Sequence, residues 1–413
     1  MNILFVFMLP RACGNIEGSI PELIQRGHSV SVFCHYKMAE PSHWPDTSPD
    51  PSPLLKRRMR DAGAELLSET PGSGLELARQ FDHALGNRRF DLALFDTNKG
   101  KRHWGNPLLY RQLRKRGVPV IGCQEGSLDD GEAGLKPVSE GLGLYYDYCF
   151  CLGGFDKDLL LRRNPRLEGR VHAVGLPSND RLSRFDANAD RPEAKHVMLV
   201  PSWTPKAGAT QRFDPMTDDL INRCGAFEMA RRFKLPLLIK EKTRPEFAFK
   251  FLEGEGVQVS MDETHLDEMI AESACVIGAP STLLFKSIQL GIPTAVLSKP
   301  RMGQLGVFAE FDGTTESDAD SVMATLEAQA KRGRASDEFI ERALAGGSHF
   351  ESRTRFADAV EHIGEHPSAY RGRPLYTMGW RKALEIRFPH GFLRLHAVIN
   401  RLRNRSKRTK PWY

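Results

Sequence analysis

Ser281 and Thr282 stand side by side after an apolar run and a Gly278-Ala279-Pro280 turn, within ACVIGAPSTLLFKSIQLGIPTAVLS (Ala274 to Ser298). Two hydroxyls where a strand turns into a helix can act in two ways. They can cap the free backbone N–H groups of the helix, or they can join those groups in holding an anion such as phosphate. Gly14 and Gly18, in GNIEGSIPELIQR (Gly14 to Arg26), permit close approach of backbone to a ligand, with Asn15 in the same loop. Their spacing is not G-x-G-x-x-G, so a dinucleotide fingerprint is absent. Asp96 closes the run DLALFD (Asp91 to Asp96), where a carboxylate at a strand end can meet a hydroxylated acceptor.

Such residues need a scaffold that brings strand ends together, and the pattern supplies one. Asn2 to Leu9 reads as a buried strand, Gly14 to Arg26 as a loop running into a helix, and Ser29 to Cys34 as the next strand. Glu40 to Pro53, rich in Pro, Ser and Asp, reads as a surface loop. Helices then alternate with strands at Asp91 to Asp96, Val118 to Cys123, Tyr148 to Leu152 and Val171 to Val174. Asp186 to Lys195 is polar and poorly periodic, as a linker is. The alternation resumes with strands at His196 to Val200, Leu235 to Lys240, Val257 to Ser260, Ala274 to Ile277 and Pro293 to Leu297. Helices are expected at Asp218 to Phe233, Glu246 to Glu253, Leu266 to Ser273 and Ser317 to Lys331. The fold class predicted is α/β, with two tandem Rossmann-like doubly wound domains. The first covers 1–185 and would hold the acceptor. The second covers 195–345 and would hold the donor, and 346–413 forms a return helix and a tail. The ligand belongs in the cleft between the carboxyl ends of the two sheets.

Composition sets the class. The chain has 413 residues, 40% hydrophobic and 27% charged, which suits two ordinary cores. Seven cysteines stand without a CxxC pair, which excludes a zinc ribbon and a paired disulfide framework and places the chain in a reducing cytoplasm. No run of about 18 apolar residues reads as a membrane span. MNILFVFMLP lacks a basic start and a cleavage site, so it reads as a strand and not a signal peptide. The net charge of +6 is unevenly placed: Arg371 to Tyr413 carries twelve Lys or Arg against one acid, Glu385. Leu395, Val398, Ile399 and Leu402 follow helical spacing with the charges largely opposite. A basic amphipathic helix of this kind suits an anionic membrane surface, although its apolar face can instead pack on the first domain. No nucleic-acid motif accompanies the charge.

Four loops read together add specificity: VGLPSNDRL (Val174 to Leu182), MLVPSWTP (Met198 to Pro205), LLIKEK (Leu237 to Lys242) and Asp262 to Leu297 with its Ser-Thr turn. Their order resembles the CDP-glycerol glycerophosphotransferase-like and capsule polysaccharide transferase group of GT-B enzymes. The resemblance covers Val171 to Ser298, and the first domain follows by topology only. It implies a nucleotide-activated donor bound mostly by the second domain. Ser202, Trp203, Lys240, Lys242, Pro280, Ser281 and Thr282 would then line the donor site, and Gly14 and Asn15 would approach its phosphates from the first domain. Relatives of this kind generally work without a metal, so none is expected, and no cofactor besides the donor.

The sequence also departs from that group. The His-Pro that often follows the basic strand is missing from Lys240-Glu241-Lys242-Thr243-Arg244-Pro245. Where several members carry Trp-His-Gly with the His as base, this chain has Cys123-Gln124-Glu125-Gly126. Glu125 is therefore the expected general base, since a positioned carboxylate can deprotonate an acceptor hydroxyl. The expected function is glycosyl transfer from a nucleotide sugar to a surface polysaccharide or lipid-linked acceptor, at the cytoplasmic face of the membrane. A CDP-polyol donor with glycerophosphate transfer, a sugar-nucleotide 2-epimerase and a non-catalytic GT-B module are the alternatives.

Overall fold

A computed structural model gives the arrangement of the chain. It describes residues 1–7, 14–34, 52–68, 75–96, 106–124, 126, 146–185, 192–201, 224–240, 254, 256–260, 262, 265–298, 305–316 and 318–367. The first half runs β1 (Asn2–Phe7), α1 (Ile20–Gln25), β2 (Ser29–Cys34), α2 (Ser52–Asp61), β3 (Glu65–Ser68), α3 (Leu75–Leu85), β4 (Leu92–Phe95), α4 (Asn106–Lys115), β5 (Val120–Cys123), β6 (Tyr148–Cys151), α5 (Gly154–Arg163) and β7 (Val171–Ala173). A 3-10 segment, Pro177–Phe185, leads out of it. The second half runs β8 (His196–Val200), α6 (Ala226–Phe233), β9 (Leu237–Lys240), β10 (Val257–Ser260), α7 (Leu266–Ala271), β11 (Ser273–Gly278), α8 (Leu284–Gln289), β12 (Thr294–Leu297), β13 (Thr314–Thr315) and α9 (Ala319–Arg332). It closes with α10 (Asp337–Ala343) and α11 (Ser352–Glu365).

The central strands are apolar along their whole length, which is what a parallel sheet covered on both faces requires. In β1 every residue but Asn2 is buried, and in β8 all five are. Seven strands form the first sheet in the order β3-β2-β1-β4-β5-β6-β7, and six form the second in the order β10-β9-β8-β11-β12-β13. The strand order turns back at the same place in each, between β1 and β4 and between β8 and β11. Ligands of such sheets bind outside the carboxyl ends at that turning point. Alternating side chains of β1 feed two cores: Leu4 and Val6 on one face, Ile3, Phe5 and Phe7 on the other. The Leu4 core continues across the domain junction to Met198 and Val276 of the second sheet and Leu284 of α8.

The helix α11, at the far end of the described chain, packs on the first sheet. Phe356, Ala357, Val360 and Ile363 complete the core around Ile3, Phe5 and Phe7. Its polar edge is pinned by Arg26, which bonds Glu22, Asp358 and Glu361 at 2.7–2.9 Å. His28 joins the same edge, with Nε2 2.9 Å from Glu361 and Nδ1 3.2 Å from the terminal amine of Met1. The Arg-Gly-His turn therefore serves the fold.

Several elements differ from the sequence reading, among them α10, Asp337–Ala343, which it did not contain. Helix α2 begins at Ser52, inside the stretch expected as loop, and β3 and β13 were not expected; both are edge strands too short for an alternating pattern. Helix α8 begins at Leu284, later than Ser281 and Thr282. The stretches expected as a helix at Glu246 to Glu253 and as a basic tail at Arg371 to Tyr413 lie outside the described residues. Among the described residues no helix is long and apolar enough to cross a membrane.

Candidate functional site

The second sheet presents a row of strand ends. Lys240 ends β9 and is 3% exposed, so an apolar strand carries its charge to the sheet's edge. Beside it β8 ends at Val200 and Pro201, and the next residues in sequence are Ser202 and Trp203, which lie outside the described residues together with Lys242. Beyond β8, β11 runs into Ala279, Pro280, Ser281 and Thr282. The turn is drawn tightly onto β8: Ala279 N–H donates to Val200 O at 3.3 Å. Gly278 is required there, because a Cβ would stand 2.8 Å from Val200 O.

The hydroxyls in this turn do not cap the helix in the usual manner. The residue preceding α8 is Leu283, in helical conformation and with no side-chain cap. Ser281 Oγ accepts only a long 3.4 Å bond from Leu283 N–H, and Ser281 O accepts from Leu284 N–H at 3.0 Å. Pro280, Ser281 and Thr282 are each part-exposed. The expectation of two hydroxyls at the helix start is corrected to two hydroxyls in a turn ahead of it, because Ser281 to Leu283 close a turn of their own.

The first sheet faces this row. Asp96 follows β4 and is 1% exposed. The Cys123 thiol at the end of β5 is pushed well up by burial, with further upward push from Cys149 and Asp96. Gln124 follows, 3% exposed; its Nε2 donates to Gly126 O at 2.5 Å and to Asp156 Oδ2 of α5 at 2.7 Å. Glu125, between Gln124 and Gly126, lies outside the described residues. Gly126 marks where the two domains meet: a Cβ built on it would stand 3.7 Å from Thr282 Cγ2. The structure thus brings together the end of β5 and the Ser281-Thr282 turn, which are 156 residues apart in sequence from Gly126 to Thr282.

Gly14 and Asn15 open the segment after β1 and are part-exposed; a Cβ on Gly14 would meet nothing within 4 Å. Gly18 has another use. A Cβ there would stand 2.8 Å from Pro177 O, and its N–H donates to Ser178 Oγ at 3.1 Å. It admits the backbone of the interdomain segment and not a ligand.

Sequence reasoning missed the charges beneath the cleft. Glu17, 4% exposed, accepts from Arg181 at 2.5 Å and from Arg58 at 3.4 Å. Arg181 Nε lies 3.6 Å from Asp267 Oδ2, and Asp267 is bonded by Lys286 of α8. Burial drives the Asp267 carboxyl up, but Lys286 and then Arg181 more than reverse this and hold it below its ordinary range. The signal available was the Asp-Arg that follows Gly-x-Pro in VGLPSNDRL. Among the described residues no group of three or more His, Cys, Asp or Glu stands in position to hold a metal ion.

No family model and no curated protein matches the chain by sequence. Solved structures match it in shape. A UDP-GlcNAc 2-epimerase from Neisseria meningitidis, bound to UDP-GlcNAc, matches with TM-score 0.56 at 11% identity, over 88% of this chain and 100% of the other. A wall teichoic acid polymerase matches with TM-score 0.54 at 13% identity, over 88% of this chain and 89% of the other. The glycotransferase of kitacinnamycin matches with TM-score 0.52 at 16% identity, over 87% and 98%. With its two parallel sheets, one of seven strands and one of six, this chain has the fold of the GT-B superfamily.

Proposed function

We propose that the chain is a GT-B enzyme acting on a nucleotide-activated sugar, and that it transfers the glycosyl unit to a hydroxyl of a surface polysaccharide or lipid-linked acceptor. The observation that carries this reading is the row of second-sheet strand ends. It sets Lys240 and the Pro280-Ser281-Thr282 turn on one edge, with Gly126 of the first sheet opposite. A cation, hydroxyls and turn N–H groups in one row suit the two phosphates of a departing nucleotide, whose negative charge grows in the transition state. Fixed donors of this kind take up that charge without a metal. Ser202, Trp203 and Lys242 follow the same strand ends in sequence and complete the donor side, with Gly14 and Asn15 approaching from the first domain. Glu125 is the base that takes the acceptor proton. Asp96, at the end of the adjoining strand β4, contacts the acceptor. The basic segment from Arg371 to Tyr413 brings the enzyme to an anionic membrane surface on the cytoplasmic side, where a lipid-linked acceptor is available.

The test is a thermal-shift series with CMP, CDP, UDP, GDP and their sugar conjugates, followed by turnover with the responder. A ligand that binds only the folded protein raises its melting temperature by mass action. One nucleotide series that stabilises the protein, with release of free nucleotide and glycosylation of the acceptor once acceptor is added, is the expected result. No stabilisation at millimolar nucleotide overturns the reading.

A 2-epimerase is the second reading, favoured by the shape match to the enzyme holding UDP-GlcNAc. It needs no acceptor. Deuterium entering the sugar at C2 when UDP-GlcNAc alone is incubated in D2O would select it over transfer.

A further inference from the structure

The segment Pro177–Phe185 is more than a connector, because its side chains alternate between the two domains. Toward the first domain and its return helix, Ser178 Oγ accepts from Gly18 N–H, and Asp180 accepts from the backbone N–H groups of Ser352 at 3.2 Å and Arg353 at 2.7 Å. Toward the second, Asn179 Nδ2 donates to Gln289 Oε1 at 2.7 Å, and Arg184 pairs with Glu268 at 2.5 Å. One side chain bridges both. Arg181 reaches Glu17, just after the helical residues Gly14 and Asn15, and Asp267, which in turn holds Lys286 on the helix after the Ser281-Thr282 turn.

We propose that Arg181 is a positioning residue that holds the two sides of the cleft in register, through Glu17 on one side and Asp267 on the other. Glu17 and Asp267 are 4% and 7% exposed, so each is a carboxylate largely withdrawn from water. Carboxylates in that setting repel one another unless a cation stands between them. Arg181 is the cation that touches both. Its guanidinium offers donors in a rigid fork, which a lysine at the same position lacks. Without it the Glu17 side keeps Arg58 and the Asp267 side keeps Lys286, so each domain stays neutralised while the link between them is lost. The cleft then opens at the Gly126–Thr282 approach. The kinetic part of this inference rests on the transferase reading; the geometric part does not.

The experiment is a cross-link across the cleft. In a Gly126→Cys, Thr282→Cys protein the two thiols face each other in the register seen here, since a Cβ at 126 stands 3.7 Å from Thr282 Cγ2. Oxidation should join them, read as one disulfide-linked peptide by mass spectrometry. Adding Arg181→Met should slow that cross-link at least tenfold while the melting transition stays cooperative. Arg181→Lys keeps one contact and should slow it about threefold, and it carries the test if the methionine variant does not fold. An unchanged rate in either folded variant overturns the proposal, as does a parent pair that never cross-links. In an otherwise native chain, Arg181→Lys should raise KM for the nucleotide donor about tenfold and leave kcat within threefold. A lowered melting temperature with unchanged cross-linking and unchanged KM assigns Arg181 to stability alone. If cross-linking slows but no nucleotide binds, the latch stands and the transferase reading falls.

Discussion

The two edges that face each other across the cleft are chemically opposite. On the first sheet the strand ends carry Asp96, Gln124 and, one helix on, Asp156, all nearly fully buried, with Glu125 next in sequence. On the second they carry Lys240 and two part-exposed hydroxyls. An acidic edge suits a substrate that must lose a proton, and a cationic edge suits one that departs with a negative charge. The two sheets turn back at the same place in their strand order but differ in the polarity of their strand ends. The difference supports the proposed division into an acceptor side and a donor side.

The sharpest way to break this comparison is on the acidic side. Glu125→Gln should leave nucleotide affinity unchanged and lower turnover by roughly 10²–10⁴-fold, the ordinary worth of a general base. Retained turnover moves the base elsewhere. On the cationic side Lys240→Met should weaken binding of the nucleotide diphosphate by about 3 kcal/mol, or ~100-fold, as lost charge-assisted bonds do. Calorimetry checks this, and a change in kcat without a change in affinity would blur the division between the edges. Ser281→Ala with Thr282→Ala should cost roughly 1–3 kcal/mol of the same affinity. Normal folding with full affinity would remove the hydroxyls from the site.

The smallest expected effect concerns pH, and it contrasts two groups outside the cleft. Burial pushes the Asp180 carboxyl up to about 6, above its ordinary 3.8, although Arg353 and the N–H of Ser352 oppose this and Glu351 assists it. The folded state then holds a proton that the unfolded chain has lost, so this group's contribution falls as pH rises from about 4 to 6. Burial, with His362, Lys157 and Arg170, lowers His172 from 6.5 to about 4, while the carbonyl of Gly169 opposes the shift. Its contribution is present above pH 6.5 and is lost as pH falls toward 4. The two slopes oppose each other across nearly the same window. Melting temperatures between pH 4 and 6.5 should expose the falling slope in His172→Gln and the rising one in Asp180→Asn. Identical profiles in both variants would cancel this account.

Much of the scaffold was legible in the sequence, because central parallel strands are apolar runs and the edge strand Val257–Ser260 alternates. Ser29–Cys34, His196–Val200 and Val257–Ser260 have the bounds that their pattern predicts. Periodicity failed where burial is one-sided or an element is too short. Helix α2, SPLLKRRMRD, is masked by its basic residues, and β13 is the dipeptide Thr314–Thr315. The Ser281-Thr282 turn was found from residue type, yet its geometry was not, because a hydroxyl before a helix looks the same whether or not it caps. Of Glu17, Arg181 and Asp267, only Arg181 carried a signal, the Asp-Arg after Gly-x-Pro; spacing did not reveal the other two. Their relation exists only once three distant segments meet, and ion pairs leave no period in a sequence.

The docking of α11 on the first sheet bears on how the molecule is born. Phe356, Ala357, Val360 and Ile363 cover the face built by Ile3, Phe5 and Phe7, so the first half of the chain cannot close that core with its own residues. On the ribosome, residues 1–185 wait with this apolar face bare while the whole second domain is made. At about 5–20 residues per second that is a delay on the order of ten to forty seconds. A nascent chain of this design needs a chaperone or its own transient collapse to cross the interval. A fragment cut after residue 185 should precipitate, and a peptide spanning 346–367 added in trans should return it to solution.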